Sequence, residues 1–179
     1  MNKLPNHTAL KEWASVIAAL GRGEQIVLIR KGGIADPKFG LEAGRFYLFP
    51  TNFHESGAPP PSAAVPITHW CEAVRTWEVR DLDALLRLEP HVAFDRKTIE
   101  TRYRFRPDQA AHVIAVRTWA LPQCVNVPLT EAYAGCRSWV SLDEEIDIDG
   151  SRAVLTDELL QSKIDQVSSL LSWNSLAFS

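Results

Sequence analysis

Apolar residues recur at Leu10, Trp13, Ala14, Ile17 and Leu20, the spacing of one face of a helix. With Thr8 as an N-terminal cap and Gly21 as a stop, this predicts an amphipathic helix whose polar face, carrying Lys11 and Glu12, is solvated. The pattern then changes. Ile26 to Arg30 is a continuous apolar run, too short for a typical helix and suited to a buried strand; Arg45 to Phe49 repeats it and is halted by Pro50. The connection from Gly32 to Gly44 is glycine-rich. "SGAPPPSAAVP", Ser56 to Pro66, holds four prolines in eleven residues and reads as a surface loop.

Thr68 to Arg80 alternates as a strand, with Trp70, Val74 and Trp77 as candidates for burial. A short helix follows from Leu82 to Leu88 behind Asp81, and another from Asp95 to Tyr103 with Asp95 as its cap. Val113 to Leu121 and Ser138 to Leu142 are strands. A last amphipathic helix runs from Asp157 to Trp173, capped by Thr156, with Leu160, Ile164, Val167 and Leu171 on one face. Consecutive strands with few helices between them predict an α+β fold. Its sheet is mixed or antiparallel, with a small barrel as one form it can take, packed by an N-terminal and a C-terminal helix. Ile26, Leu28, Tyr47, Val113, Ala115 and Val116 are expected in one sheet and its core, anchored by Trp13, Trp77 and Trp139.

Composition narrows this. With 179 residues, 46% apolar and 23% charged, the chain is long enough to bury a core and is expected to be a single domain over 1–179. No apolar run approaches the roughly 18 residues of a membrane span, so no membrane partner is expected. Three cysteines, Cys71, Cys124 and Cys136, are an odd number at irregular spacing, which argues against a disulfide framework and for a cytoplasmic setting. The net charge of −3 disfavours a surface coated in positive charge, yet the cations are clustered. Residues 1–50 hold seven Lys/Arg against four Asp/Glu, and Arg96 to Arg106 holds five against one.

The clusters define the candidate chemistry. "QIVLIRKGGI" ends a strand in Arg30 and Lys31 and continues into Gly32 and Gly33. Glycines let a ligand approach the backbone while the cations meet phosphate or carboxylate, the alternative being a charged strand end and a turn. The G-x-x-x-x-G-K-[ST] spacing of a phosphate loop is absent. In "RYRFRP", Arg102, Arg104 and Arg106 alternate with Tyr103 and Phe105. An extended segment would put the arginines on one face and the aromatics in the core; the other reading has arginines on phosphates and an aromatic stacked on a base. Thr51 and His54, in "FPTNFHES", lie just beyond a strand; His54 beside Glu55 suits acid–base work, but no nucleophile accompanies them. His69, Cys71, Cys124 and Cys136 match no zinc spacing and read as buried structural residues. "EIDIDG" fails as a calcium loop, because Thr156 stands at its closing position. Glu12 and Lys31 are candidate members of a metal-dependent phosphodiesterase site, which needs converging ligands. No catalytic residue, metal or cofactor is assigned.

"ALKEWA" at Ala9 to Ala14, "LIRKGGI" at Leu28 to Ile34, "LFPTNFH" at Leu48 to His54 and "YAGCRSWVSL" at Tyr133 to Leu142 together resemble an uncharacterised bacterial family, the domain of unknown function 1802. Relatives are expected to carry "YPTYEHQ" where this chain has "FPTNFHES", so Glu55 departs from the pattern and takes no role. The order of elements is also similar to small RNA-binding barrels of the pseudouridine-synthase-associated (PUA-like) type. That resemblance implies a cleft between barrel and first helix for RNA or a modified base, with Arg30 and Lys31 at its rim. The leading expectation is binding of RNA, DNA or a nucleotide through Arg30, Lys31, Gly32, Gly33, Thr51, His54, Arg102 and Arg104. A metal-dependent nuclease and a protein-interaction module are the alternatives.

Overall fold

In the computed structural model, residues 3–4, 7–31, 43–51, 63–133, 135 and 137–172 are described. Their elements, in chain order, are β1 (Thr8–Trp13), α1 (Ala14–Gly21), β2 (Val27–Arg30), β3 (Arg45–Thr51), β4 (Ala64–Val79), α2 (Leu82–Leu86), α3 (Arg96–Arg104), β5 (Ala111–Pro128), β6 (Trp139–Ser141), β7 (Arg152–Ala153) and α4 (Asp157–Ser172). The class is α+β, with one mixed sheet in the order β2-β5-β4-β3-β1-β6 and β7 added to β5. All neighbours are antiparallel except β1 and β3, which run parallel.

Local signals place several elements. Asp81 caps α2 by accepting from the Asp83 N–H at 3.0 Å, and Asp95 caps α3 from the Thr98 N–H at 2.8 Å. The Thr98 hydrogen bonds lower the Asp95 carboxyl below its ordinary 3.8. A depressed carboxyl stabilises the fold above that ordinary value and loses the contribution as pH falls through the folded one. Asp95→Ala should therefore lower the melting temperature at neutral pH, and the gap from the native chain should shrink in acid; melts across pH check both.

The first segment differs from its periodicity. Thr8–Trp13 is a strand, not the first turns of a helix, and the helix begins only at Ala14. The reason lies in Lys11 and Glu12, which are buried at 7% and 1% exposure rather than solvated. The Lys11 ammonium donates to the carbonyls of Tyr133 and Gly135, and Glu12 meets two arginines, so neither polar side chain needs water. The strand fills a slot between β3 and β6, pairing Leu10 with Leu48 on one side and with Trp139 on the other.

Prolines also fall inside strands. Pro50 does not halt β3, because the β4 ladder ends at Tyr47 and leaves that edge free of the need for an N–H. β4 begins at Ala64, so Ala64 to Pro66 belong to the sheet rather than to the expected loop. In β5 the register jumps between Ile67↔Val125 and His69↔Ala120, and Pro122 sits in this bulge. Val74 lies at the second register shift and is 41% exposed, against the expectation of burial.

Two apolar clusters share the sheet. Along β1 and β3 they alternate strictly: Leu10, Phe46 and Leu48 join one, and Ala9, Tyr47 and Phe49 the other. The first also takes Ile26, Leu28, Val113, Ala115 and Val116 and is covered by α1 and by Leu160, Ile164 and Val167 of α4. Trp139 is buried, while Trp13 and Trp77 are only half-buried against this cluster.

The sheet is mixed as expected and does not take the barrel form: it is open, with no ladder from β2 to β6 among the described residues. It is nevertheless curled. β2 and β1 are four strand steps apart, roughly 19 Å in a flat sheet at about 4.8 Å per step. Yet the Arg30 guanidinium of β2 donates to the Lys11 carbonyl of β1 at 3.1 Å. A side chain thus spans the gap that a further strand would fill.

Candidate functional site

The gap between β1 and β2 is where the expected ligand residues meet. Glu12, near the end of β1, is the hub. One carboxylate oxygen accepts from Arg30 Nη1 at 3.0 Å; the other accepts from the Trp13 N–H at 2.8 Å and lies 3.7 Å from Arg102 Nη2. Arg102 also donates to the Ile29 carbonyl at 3.2 Å, covering the free edge of β2. Its guanidinium lies against two aromatic rings, 4.7 Å from the Trp13 centroid and 4.1 Å from Phe94. Those rings meet edge to face, with centroids 5.1 Å apart. Burial pulls the Arg102 guanidinium below its ordinary value while the charge of Glu12 raises it again.

Two further expected residues sit at the rim. Thr51 follows Pro50 and donates to the Glu12 carbonyl at 3.4 Å. Lys31 follows Arg30; its ammonium donates to the Tyr103 carbonyl and lies 4.5 Å from the centre of the Tyr103 ring. Burial lowers the Lys31 ammonium, and Asp108 acts against that. Arg30 and Lys31 at the end of β2, Thr51 at the end of β3 and Arg102 on α3 are therefore brought to one region. Arg104 is exposed on the last turn of α3. Gly32, Gly33 and His54 lie outside the described residues, as do Glu55 and Cys136.

The expected geometry of "RYRFRP" is overturned. Arg102 to Arg104 close a helix, so Arg102 points inward and Arg104 outward instead of sharing a face. Phe105 is 43% exposed, not in the core. Cys71 is buried, its thiol pushed up to about 12 by burial and within 3.5 Å of Thr118 Oγ1, whereas Cys124 is exposed, against the reading of both as buried. Among the described residues no group of His, Cys, Asp and Glu converges for a metal. Glu12 in particular is held by cations, so it does not fit the metal-ligand role.

Sequence reasoning missed Glu12 as the partner of the arginines and missed the Trp13–Phe94 seat of Arg102. A signal existed for the first: a carboxylate inside "ALKEWA", flanked by apolar residues, requires a cationic partner if the segment is buried. Nothing in the sequence tied Phe94 to Arg102. In charge, Arg30 and Arg102 share the Glu12 carboxylate, Lys31 feels Asp108, and Arg104 adds a further exposed cation beside them.

Comparison with known proteins adds a family. The model of the family described as Domain of unknown function (DUF1802) matches residues 9–166. No curated protein matches the chain. Among solved structures, ASCH from Zymomonas mobilis is 13% identical, with 89% of this chain and 94% of that one covered at a TM-score of 0.49. Two mutant forms of that protein are 13% and 14% identical, covering 91% and 89% of this chain and 99% and 97% of theirs, at TM-scores of 0.46 and 0.48.

Proposed function

From the premise that the chain belongs to the DUF1802 family, matched over residues 9–166, we propose that it binds nucleic acid or a nucleotide through the cationic rim at the β1–β2 gap. The observation that supports this reading is the excess of positive charge at that rim. Among the described residues, Arg30 and Arg102 share the one carboxylate of Glu12, and Lys31 hydrogen-bonds a neutral carbonyl beside a ring, with Asp108 as its acidic influence. A partly desolvated excess charge is stabilised by an anion, and phosphate matches arginine and lysine donors. The nuclease alternative loses its acidic member, since Glu12 is held by guanidinium groups. Protein interaction is kept as an outcome of the test.

Replacing Lys31 by Ala should weaken binding to all nucleic-acid sequences alike and reduce the salt slope by about 1, the loss of one counterion-releasing contact. The fold should survive, because Lys31 lies at the rim. Titration of single-stranded RNA, duplex DNA and free nucleotides at two salt concentrations measures both effects. Absence of binding by the native chain at low salt, or binding indifferent to Lys31→Ala and Arg104→Ala, would reject the reading and favour a protein partner.

A further inference from the structure

The turn that follows α3 carries a partly exposed aromatic ring. Among the described residues, Phe105 is one of four large apolar side chains left exposed, at 43%. Its backbone N–H still closes the helix on the Thr101 carbonyl at 3.1 Å, so its place is fixed by the helix end. The next residue, Arg106, has φ 55°, a left-handed conformation unusual for a side chain of this size. A glycine would meet that turn at no steric cost, yet an arginine occupies it and sets its guanidinium 5.3 Å from the Phe105 ring centre.

This pair borders the cationic rim. Lys31 donates to the carbonyl of Tyr103, two residues before Phe105, and Arg104 is exposed between them. Asp108 is the acidic group of the same turn, and Arg80 donates to its carbonyl at 3.5 Å. An exposed ring among cations has the chemistry for a base: the π-face takes the base and the cations take the phosphates on either side of it. A duplex hides its base faces, and inorganic phosphate has none.

We infer that Phe105, supported by Arg106, is a stacking platform for an unpaired base, so that the ligand class of this rim is single-stranded nucleic acid rather than duplex or a phosphate group alone. This rests on the reading of the rim given above. It also sets Phe105 apart from Lys31: the lysine acts on any polyphosphate, the ring only where a base is free.

The full chain is titrated with a short single-stranded oligouridylate, with an RNA duplex of equal length and with inorganic triphosphate, as the native form, Phe105→Ala and Phe105→Trp. Phe105→Ala should weaken the single strand about ten-fold, the size of one lost base stack, and change the duplex and triphosphate less than about two-fold. Phe105→Trp should restore the single-strand affinity. Equal loss on all three probes, or no loss on the single strand while the native chain binds it, would overturn the stacking role and leave the cationic rim standing. Failure of the native chain to bind any probe would overturn both.

Discussion

Glu12→Ala should lower the stability of the fold by about 3 kcal/mol or more, read as a fall in the urea midpoint at unchanged slope. The carboxylate is 1% exposed, and its removal leaves Arg30, with a side chain 12% exposed, and Arg102, at 24%, without the anion they share. A buried pair broken from one side costs about 3–5 kcal/mol, because the remaining charge is desolvated and uncompensated. The lower end applies here, since water reaches part of Arg102. Adding Arg30→Met to Glu12→Ala should recover part of the loss, because it removes one of the two guanidinium charges that Glu12 had balanced and keeps the volume. A midpoint unchanged by Glu12→Ala would show that the carboxylate is not what holds the arginines. A chain that kept its midpoint but lost a metal-dependent cleavage would return Glu12 to chemistry.

Trp139→Ala should cost about 3–5 kcal/mol, the range for removing a large aromatic from a packed interior. The indole is 7% exposed and meets the Phe46 ring edge to face, with centroids 5.2 Å apart and planes at 87°. It stands on β6, a strand of three residues at the margin of the sheet, opposite Leu10 of β1. So short a strand has little ladder of its own, and its side chains must supply the docking energy. Trp139→Phe should cost distinctly less, since an aromatic partner for Phe46 remains. A denaturant midpoint indifferent to Trp139→Ala would contradict this packing.

How much of this was legible in the sequence follows from the range of each signal. Asp81, Asp95 and Thr156 announce helices because a cap acts over three residues, and α2, α3 and α4 all begin where those residues predict. β2 and the start of β3 were legible as apolar runs. β1 was not, because the partners that bury Lys11 and Glu12 come from Arg30, Arg102, Tyr133 and Gly135, distant in the chain, and periodicity alone counts a charged residue as solvated. Pro50 misled for a related reason: whether a missing N–H matters depends on which neighbour the ladder still has at that point. In the site, Arg30, Lys31, Thr51 and Arg102 were recognisable by residue type, yet the meeting of Arg30 and Arg102 on one carboxylate depends on the curl of the sheet. Phe105 was read as core because alternation was assumed where a helix ends.

The slot occupied by β1 has a consequence for how the chain assembles. Thr8–Trp13 pairs with β3 and with β6, whose residue Val140 lies opposite Ala9, so its place is complete only when segments from both halves of the chain have come together. Such non-local pairing is slow to form, and until it does "TALKEW" is an unpaired strand with apolar side chains on both sides of its charges. A short hydrophobic strand left waiting is a template for intermolecular association. Lys11 and Glu12 interrupt it with two charges that cost little in water and find their partners only in the finished sheet. The same pair that anchors the folded strand thus acts as a gatekeeper against aggregation while the strand is still free.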